Sequence, residues 1–310
     1  MTKYTVENIN QAARHDPAGY VRQCSKNYIK TVEKAAAALL SANKKLILLA
    51  GPSSSGKTTT AHILANTIEK NGCEAKTISL DDFYLAGLEN YPLNSDGTYD
   101  FESIDALDMP LIGKCFGEIL ESRKTQLPVF DFGTHSRKSE TRPFEISENG
   151  VVIVEGIHGL NPAIVADLPV SGIAKVYVSV SSRVFDNEHD ENDVALLNKR
   201  GLRLIRRLVR DKNFRSTSAY DTFAIWGSVL YGENKNIFPY RTNADIKLDS
   251  FHPCEPCLFA PEAQKLLAEL EGTQFAEQAS VLKNAVNRFE VIDKNCLTED
   301  SLLCEFLGRP

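Results

Sequence analysis

Gly51, Gly56, Lys57 and Thr58 stand at the spacing G-x-x-x-x-G-K-[ST], with Pro52, Ser53, Ser54 and Ser55 between the glycines. The spacing has a mechanical use. Glycine permits backbone angles that other residues resist, so successive N–H groups can turn inward around a phosphate. Lys57 then reaches the outer phosphates and the Thr58 hydroxyl meets Mg²⁺. The loop predicts a nucleoside triphosphate, ATP or GTP, bound by Gly51, Ser53, Ser54, Ser55, Gly56, Lys57, Thr58 and Thr59.

Four further groups could act on such a ligand. Glu155 closes the apolar run Val151-Val152-Ile153-Val154, and a carboxylate at a strand end beside a phosphate loop suits Mg²⁺. Asp81 and Asp82 close another strand-like run, and either can accept a proton from an acceptor hydroxyl. Arg203, Arg207 and Arg210 fall at i, i+4 and i+7, with Arg200, Arg206 and Arg215 around them. Such a stripe can clamp phosphates; the competing reading is a solvated helix face. Residues 128–137 hold Phe130, Asp131, Phe132, His135 and Arg137, which can line a pocket for a ring with polar edges or form an ordinary loop.

The elements that must position these groups follow from hydrophobic period. Residues 46–50, 75–80, 151–154, 175–180 and 244–248 read as strands. Residues 20–40, 59–71, 103–122 and 198–211 read as helices, with two more over 261–288, a loop over 88–101 and a tail over 291–310. Alternating strands and helices predict an α/β fold: a parallel sheet of the P-loop NTPase type, helices on both faces, and helical N- and C-terminal extensions. The expected divisions are an N-terminal extension over 1–44, a core over 45–258 and a C-terminal extension over 259–310 packed on the core.

The 310 residues are 43% hydrophobic and 25% charged, as in an ordinary globular protein, and the net charge of −6 argues against bulk nucleic-acid binding. The polar N-terminus is not a signal peptide, and no apolar run is long enough to span a bilayer. Seven scattered cysteines suit reduced thiols in the cytoplasm. Cys254 and Cys257 form a lone C-x-x-C without the second pair or histidines of a zinc site, so incidental thiols are expected there before a metal or redox pair.

Taken together and in this order, these segments resemble the uridine kinase and phosphoribulokinase family of P-loop kinases, from about residue 46 to 248. The segments 79–84, 99–108 and 128–137 are most similar to uridine–cytidine kinases, and 154–162 with 235–240 resemble a bacterial uridine-kinase-like branch. In that branch the kinase often follows a domain similar to the N-terminal region of threonyl-tRNA synthetase; about 45 residues before the first strand leave no room for it. The resemblance implies an ATP- or GTP-dependent transfer to the ribose 5′-hydroxyl of uridine or cytidine, with Mg²⁺. It implies Asp81 as general base, Lys57, Arg207 and Arg210 at the phosphates, and Thr58 and Glu155 at the metal. It implies Glu102 at the ribose hydroxyls, Tyr84 and Phe130 beside the nucleoside, and His135 with Arg137 at the base. A homo-oligomer without nucleic-acid or membrane partners is expected.

Two departures stand out: Phe130 replaces a common Tyr, and Arg215 is followed by Ser216 and Thr217 where uridine kinases continue R-G-R. The same parts would serve a kinase for another small alcohol, such as a sugar, a sugar phosphate or a pantothenate-like acid. A nucleotide switch is the reading from a different class. Neither Asn198-Lys199-Arg200-Gly201 nor Asn234-Lys235-Asn236-Ile237 supplies the Asp of a guanine-reading N-K-x-D.

Overall fold

Five strands build the centre of the molecule, the inner three mainly apolar runs buried on both faces and the two edge ones part polar. They are β1 (Leu46–Ala50), β2 (Ala75–Ser79), β3 (Val151–Glu155), β4 (Ile173–Ser179) and β5 (Ile246–Asp249). The computed structural model describes residues 3–93, 97–131, 133–134, 136–187 and 194–310. The strands pair in parallel in the order β5-β4-β1-β3-β2, with β1 in the middle. Register puts Leu49 opposite Glu155 and Val176, and Ser79 opposite Glu155. The ends of β1, β2 and β3 therefore meet at one edge, where ligands of open α/β sheets collect.

The strand period of two divides the core. Ile47, Leu49, Ile153 and Val176 face one apolar cluster; Leu46, Leu48, Val152 and Val154 face the other. The first cluster takes α2 (Pro17–Ser41), α3 (Lys57–Lys70), α5 (Lys199–Arg215) and α7 (Glu255–Ala268). The second takes α4 (Met109–Ser122). The first cluster is extended by α1 (Val6–His15), α6 (Ala219–Asn236), α8 (Ala276–Val286) and the short α9 (Cys304–Leu307). The α/β parallel sheet expected from the sequence is thus present.

Element limits differ from expectation where capping decides them. The helix expected over 103–122 starts at Met109, because Asp108 accepts from the Leu111 N–H at 3.0 Å and Pro110 fits only a first turn. Residues 104–106 form a separate 3₁₀ turn. The first C-terminal helix begins at Glu255 rather than 261, with Pro261 inside it. In the tail, Leu302, Leu303, Phe306 and Leu307 are buried in the first cluster. At the other end Tyr4 and Thr5 pair with Val184 and Phe185.

Among the described residues no helix is long and apolar enough to cross a membrane. No group of three or more histidine, cysteine or carboxylate side chains among them can hold a metal, and Cys254 and Cys257 are buried free thiols.

Candidate active site

The loop after β1 closes against β4. A Cβ at Gly51 would stand 2.0 Å from the Val178 carbonyl oxygen, so only glycine lets the two backbones approach. Gly56 takes φ +82° just before α3, and no side chain caps that helix. The open N-terminal N–H groups and the helix dipole therefore favour an anion. Ser54 Oγ and Ser55 Oγ are buried without a hydrogen-bond partner among the described residues. Buried hydroxyls left unpaired are costly, which fits a site awaiting phosphate oxygens.

A cavity of about 300 Å³ opens over this loop. Lys57, Thr58, Asp81, Glu102, Glu155, Arg207 and Arg210 all line it. Glu155 Oε1 accepts from Ser79 Oγ at 3.1 Å, and Oε2 lies 3.5 Å from Thr58 Oγ1. This pair of hard oxygen donors fits Mg²⁺, which is usually held by one or two carboxylates plus substrate phosphates and water.

Asp81 and Asp82 part company. Asp82 turns to Arg142, 3.6 Å away, whereas Asp81 faces the cavity. Burial, with the negative charge of Glu155 second, pushes the Asp81 carboxyl up to about 6; Lys57 opposes the rise. Burial also raises Glu102, again against Lys57. A Cβ on Gly232 would come within 3.1 Å of Glu102, so α6 packs closely behind that carboxylate. His158 is buried nearby, its ring pushed down to about 4 by desolvation.

The arginine stripe divides by function. Arg207 donates to Ser53 Oγ at 2.8 Å, and Arg207, Arg210 and Arg215 all approach Asp211 within 3.4 Å. Burial pushes Arg207 and Arg210 below the ordinary arginine value. Arg203, expected on the same phosphate face, instead pairs with Glu233 at 2.7 Å and donates to Ser53 O at 3.0 Å. Glu233 accepts from the Ser53 N–H at 2.9 Å, so this buried pair grips both backbone groups of one loop residue. Arg206 is fully buried, paired with Glu255 and donating to Ser250 O at 2.7 Å.

The expected nucleoside residues lie to one side. Tyr84 and Phe130 rings are 5.7 Å apart, and Tyr84 Oη donates to Phe101 O at 2.9 Å. Arg137 is taken by Asp108 and by Tyr84 O, both at 3.0 Å. None of these three lines the cavity over the loop. His135 lies outside the described residues. Sequence reasoning missed Glu233, and also Glu305, which lines the cavity and accepts from Thr59 Oγ1 at 2.7 Å. Neither stands in a local pattern that could have drawn notice.

The profile of the Phosphoribulokinase / Uridine kinase family matches residues 46–253. A uridine kinase of Lactobacillus helveticus is 31% identical over 202 residues, covering 65% of this chain and 84% of that one. A uridine kinase of Lactobacillus johnsonii is 28% identical with the same coverage. A solved structure of a possible uridine kinase from Bacillus stearothermophilus aligns with a TM-score of 0.45 and 16% identity, over 71% of this chain and 98% of its own. The chain belongs to the phosphoribulokinase/uridine kinase family and is a phosphotransferase with an alcohol group as acceptor.

Proposed function

We propose that the chain transfers the γ-phosphoryl group of ATP or GTP to the ribose 5′-hydroxyl of uridine or cytidine. The observation that carries this reading is the meeting of two carboxylates of raised pKa, Asp81 and Glu102, with Lys57 in one cavity over the phosphate loop. Asp81 takes the proton of the 5′-hydroxyl as its oxygen attacks the γ-phosphorus and the bond to the β-phosphate oxygen breaks. Glu102 accepts from the ribose 2′- and 3′-hydroxyls and so orients the nucleoside. Lys57, Arg207 and Arg210 hold the triphosphate and balance charge on the transferring group. Thr58 and Glu155 would hold Mg²⁺, which when bound offsets phosphate charge. The seven cysteines, all free of disulfides, suit a reducing cytoplasmic setting, and the working form is a homo-oligomer, a point for light scattering.

A second reading, a kinase for another small alcohol, is favoured by one observation. Arg137 NH1 and NH2 are already engaged by Asp108 and Tyr84 O, which leaves only part of its guanidinium for a pyrimidine. One experiment separates the two. The protein is incubated with Mg²⁺-ATP and a mixed nucleoside and sugar panel, and products are identified by mass spectrometry. Uridine or cytidine 5′-monophosphate is the expected product; phosphorylation of a non-nucleoside alone would overturn the first reading. Within it, Glu102→Ala is expected to raise KM for the nucleoside at least about tenfold, with KM for ATP nearly unchanged, in a coupled ADP assay.

A further inference from the structure

We propose that the segment 301–307 forms the subsite for the donor's ribose, with Glu305 accepting its hydroxyls. The inference rests on the reading of a nucleoside triphosphate as donor, and it concerns residues beyond the stretch shared with the family, 46–253.

The segment is built into the site. The Leu302 side chain lies where a Cβ on Gly56 would meet it at 2.6 Å, so it rests on the glycine that opens the helix. Thr59 Oγ1 donates to Glu305 Oε2 at 2.7 Å. Glu305 lines the phosphate cavity with Arg207 and Arg210. Two helices fasten the segment: from α2, Ser25 Oγ donates to Ser301 Oγ at 3.0 Å; from α5, Asn213 Nδ2 donates to Phe306 O at 3.2 Å and the Arg206 guanidinium stands 5.2 Å from the Phe306 ring centre. With Leu302, Leu303, Phe306 and Leu307 buried, the segment holds a fixed position.

The direction of the donor follows from the loop. Asp81 and Glu155 mark the transferring end, where Lys57 and Thr58 meet the outer phosphates. Thr59 is one residue further into α3, on the side of the inner phosphate, and Glu305 is fastened to it. A carboxylate there gains nothing from another phosphate, which it repels. The group that follows the inner phosphate is a ribose with two neighbouring hydroxyls, and a carboxylate can accept from both. Thr59 engages Oε2, while Oε1 takes no hydrogen bond among the described residues.

The test is donor binding without acceptor, so it does not depend on which alcohol is phosphorylated. Isothermal titration with Mg²⁺-ATP, Mg²⁺-2′-deoxy-ATP and Mg²⁺-tripolyphosphate is run on the whole chain and on Glu305→Gln and Glu305→Ala. The unaltered chain is expected to favour ATP over the 2′-deoxy form by about tenfold, and Glu305→Ala to bring the two within about twofold, with tripolyphosphate affinity unchanged. Glu305→Gln, which keeps the shape and guards against misfolding of the alanine variant, is expected to fall between. Discrimination that survives both substitutions overturns the proposal. So does tighter binding of all three ligands by the variants, since the carboxylate would then only repel the triphosphate. Failure to bind ATP at all, with intact tripolyphosphate binding, overturns it together with the donor reading.

Discussion

Asp81→Asn is expected to lower kcat about 10³-fold while KM for ATP stays within about twofold, because a positioned base is lost and the phosphate contacts are not. The amide keeps the shape but cannot take the acceptor's proton. The pH profile of the unaltered enzyme gives the second half of this prediction. In the free protein the Asp81 carboxyl is held up to about 6, so kcat/KM is expected to fall about tenfold per unit as pH drops below that value. Stability runs the other way. A carboxyl whose folded value lies above its ordinary value near 3.8 binds its proton more tightly when folded, so stability decreases as pH rises from about 4 to 6. Asp81→Asn is therefore expected to match the parent in thermal melts near pH 4 and to exceed it above pH 6. An inactive but more stable variant is the signature of a carboxylate kept for chemistry against its folding cost. Full turnover by Asp81→Asn would remove it from that role.

Arg206→Ala is expected to cost about 3–5 kcal/mol of folding free energy, the usual price of leaving one partner of a buried ion pair alone. Arg206 is fully buried, and besides Glu255 it serves Ser250 Oγ at 3.2 Å and Ser54 O at 3.4 Å. In a chain of this size that corresponds to a fall in Tm on the order of 10 °C. Burial already raises Glu255, and Arg206 is the main group opposing it. Removing the arginine lets the Glu255 carboxyl rise further, so the loss is full at high pH and shrinks as pH falls and Glu255 takes a proton. Arg206→Met with Glu255→Leu is expected to recover most of the loss, as apolar substitutes for buried pairs often do. Urea melts at two pH values measure all three effects; a single substitution that costs no more than a surface one would contradict the burial argument.

What the sequence made legible, and what it hid, follows from the range of the contacts involved. The phosphate loop lies within eight residues, and its strand and helix announce themselves by period, so Lys57 and Thr58 could be read from spacing, and Glu155 from its place at the end of an apolar run. Asp81 and Asp82 could not be separated by pattern, because the choice is made by Arg142, which arrives from a distant strand. The arginine spacing put Arg203 on one face with Arg207 and Arg210, but a helix face is not a destination. Arg203 and Arg206 are drawn away by Glu233 and Glu255, whose positions period does not report. The nucleoside cluster was legible as a composition of aromatic and charged residues, whereas the capture of Arg137 by Asp108 was not. Least legible was the C-terminal segment: its packing on the core was expected, but not that Leu302 and Glu305 would reach Gly56 and Thr59.

The bond between Thr59 and Glu305 spans 246 residues. During synthesis at about 5–20 residues per second, the phosphate loop emerges on the order of 10–50 s before the residue that walls it. A growing chain thus carries the loop, strand and helix of a nucleotide site long before Leu302 can settle on Gly56. The wall that carries Leu302 and Glu305 is added after the loop it covers, and a ribosome paused upstream of residue 302 displays a loop with one side missing.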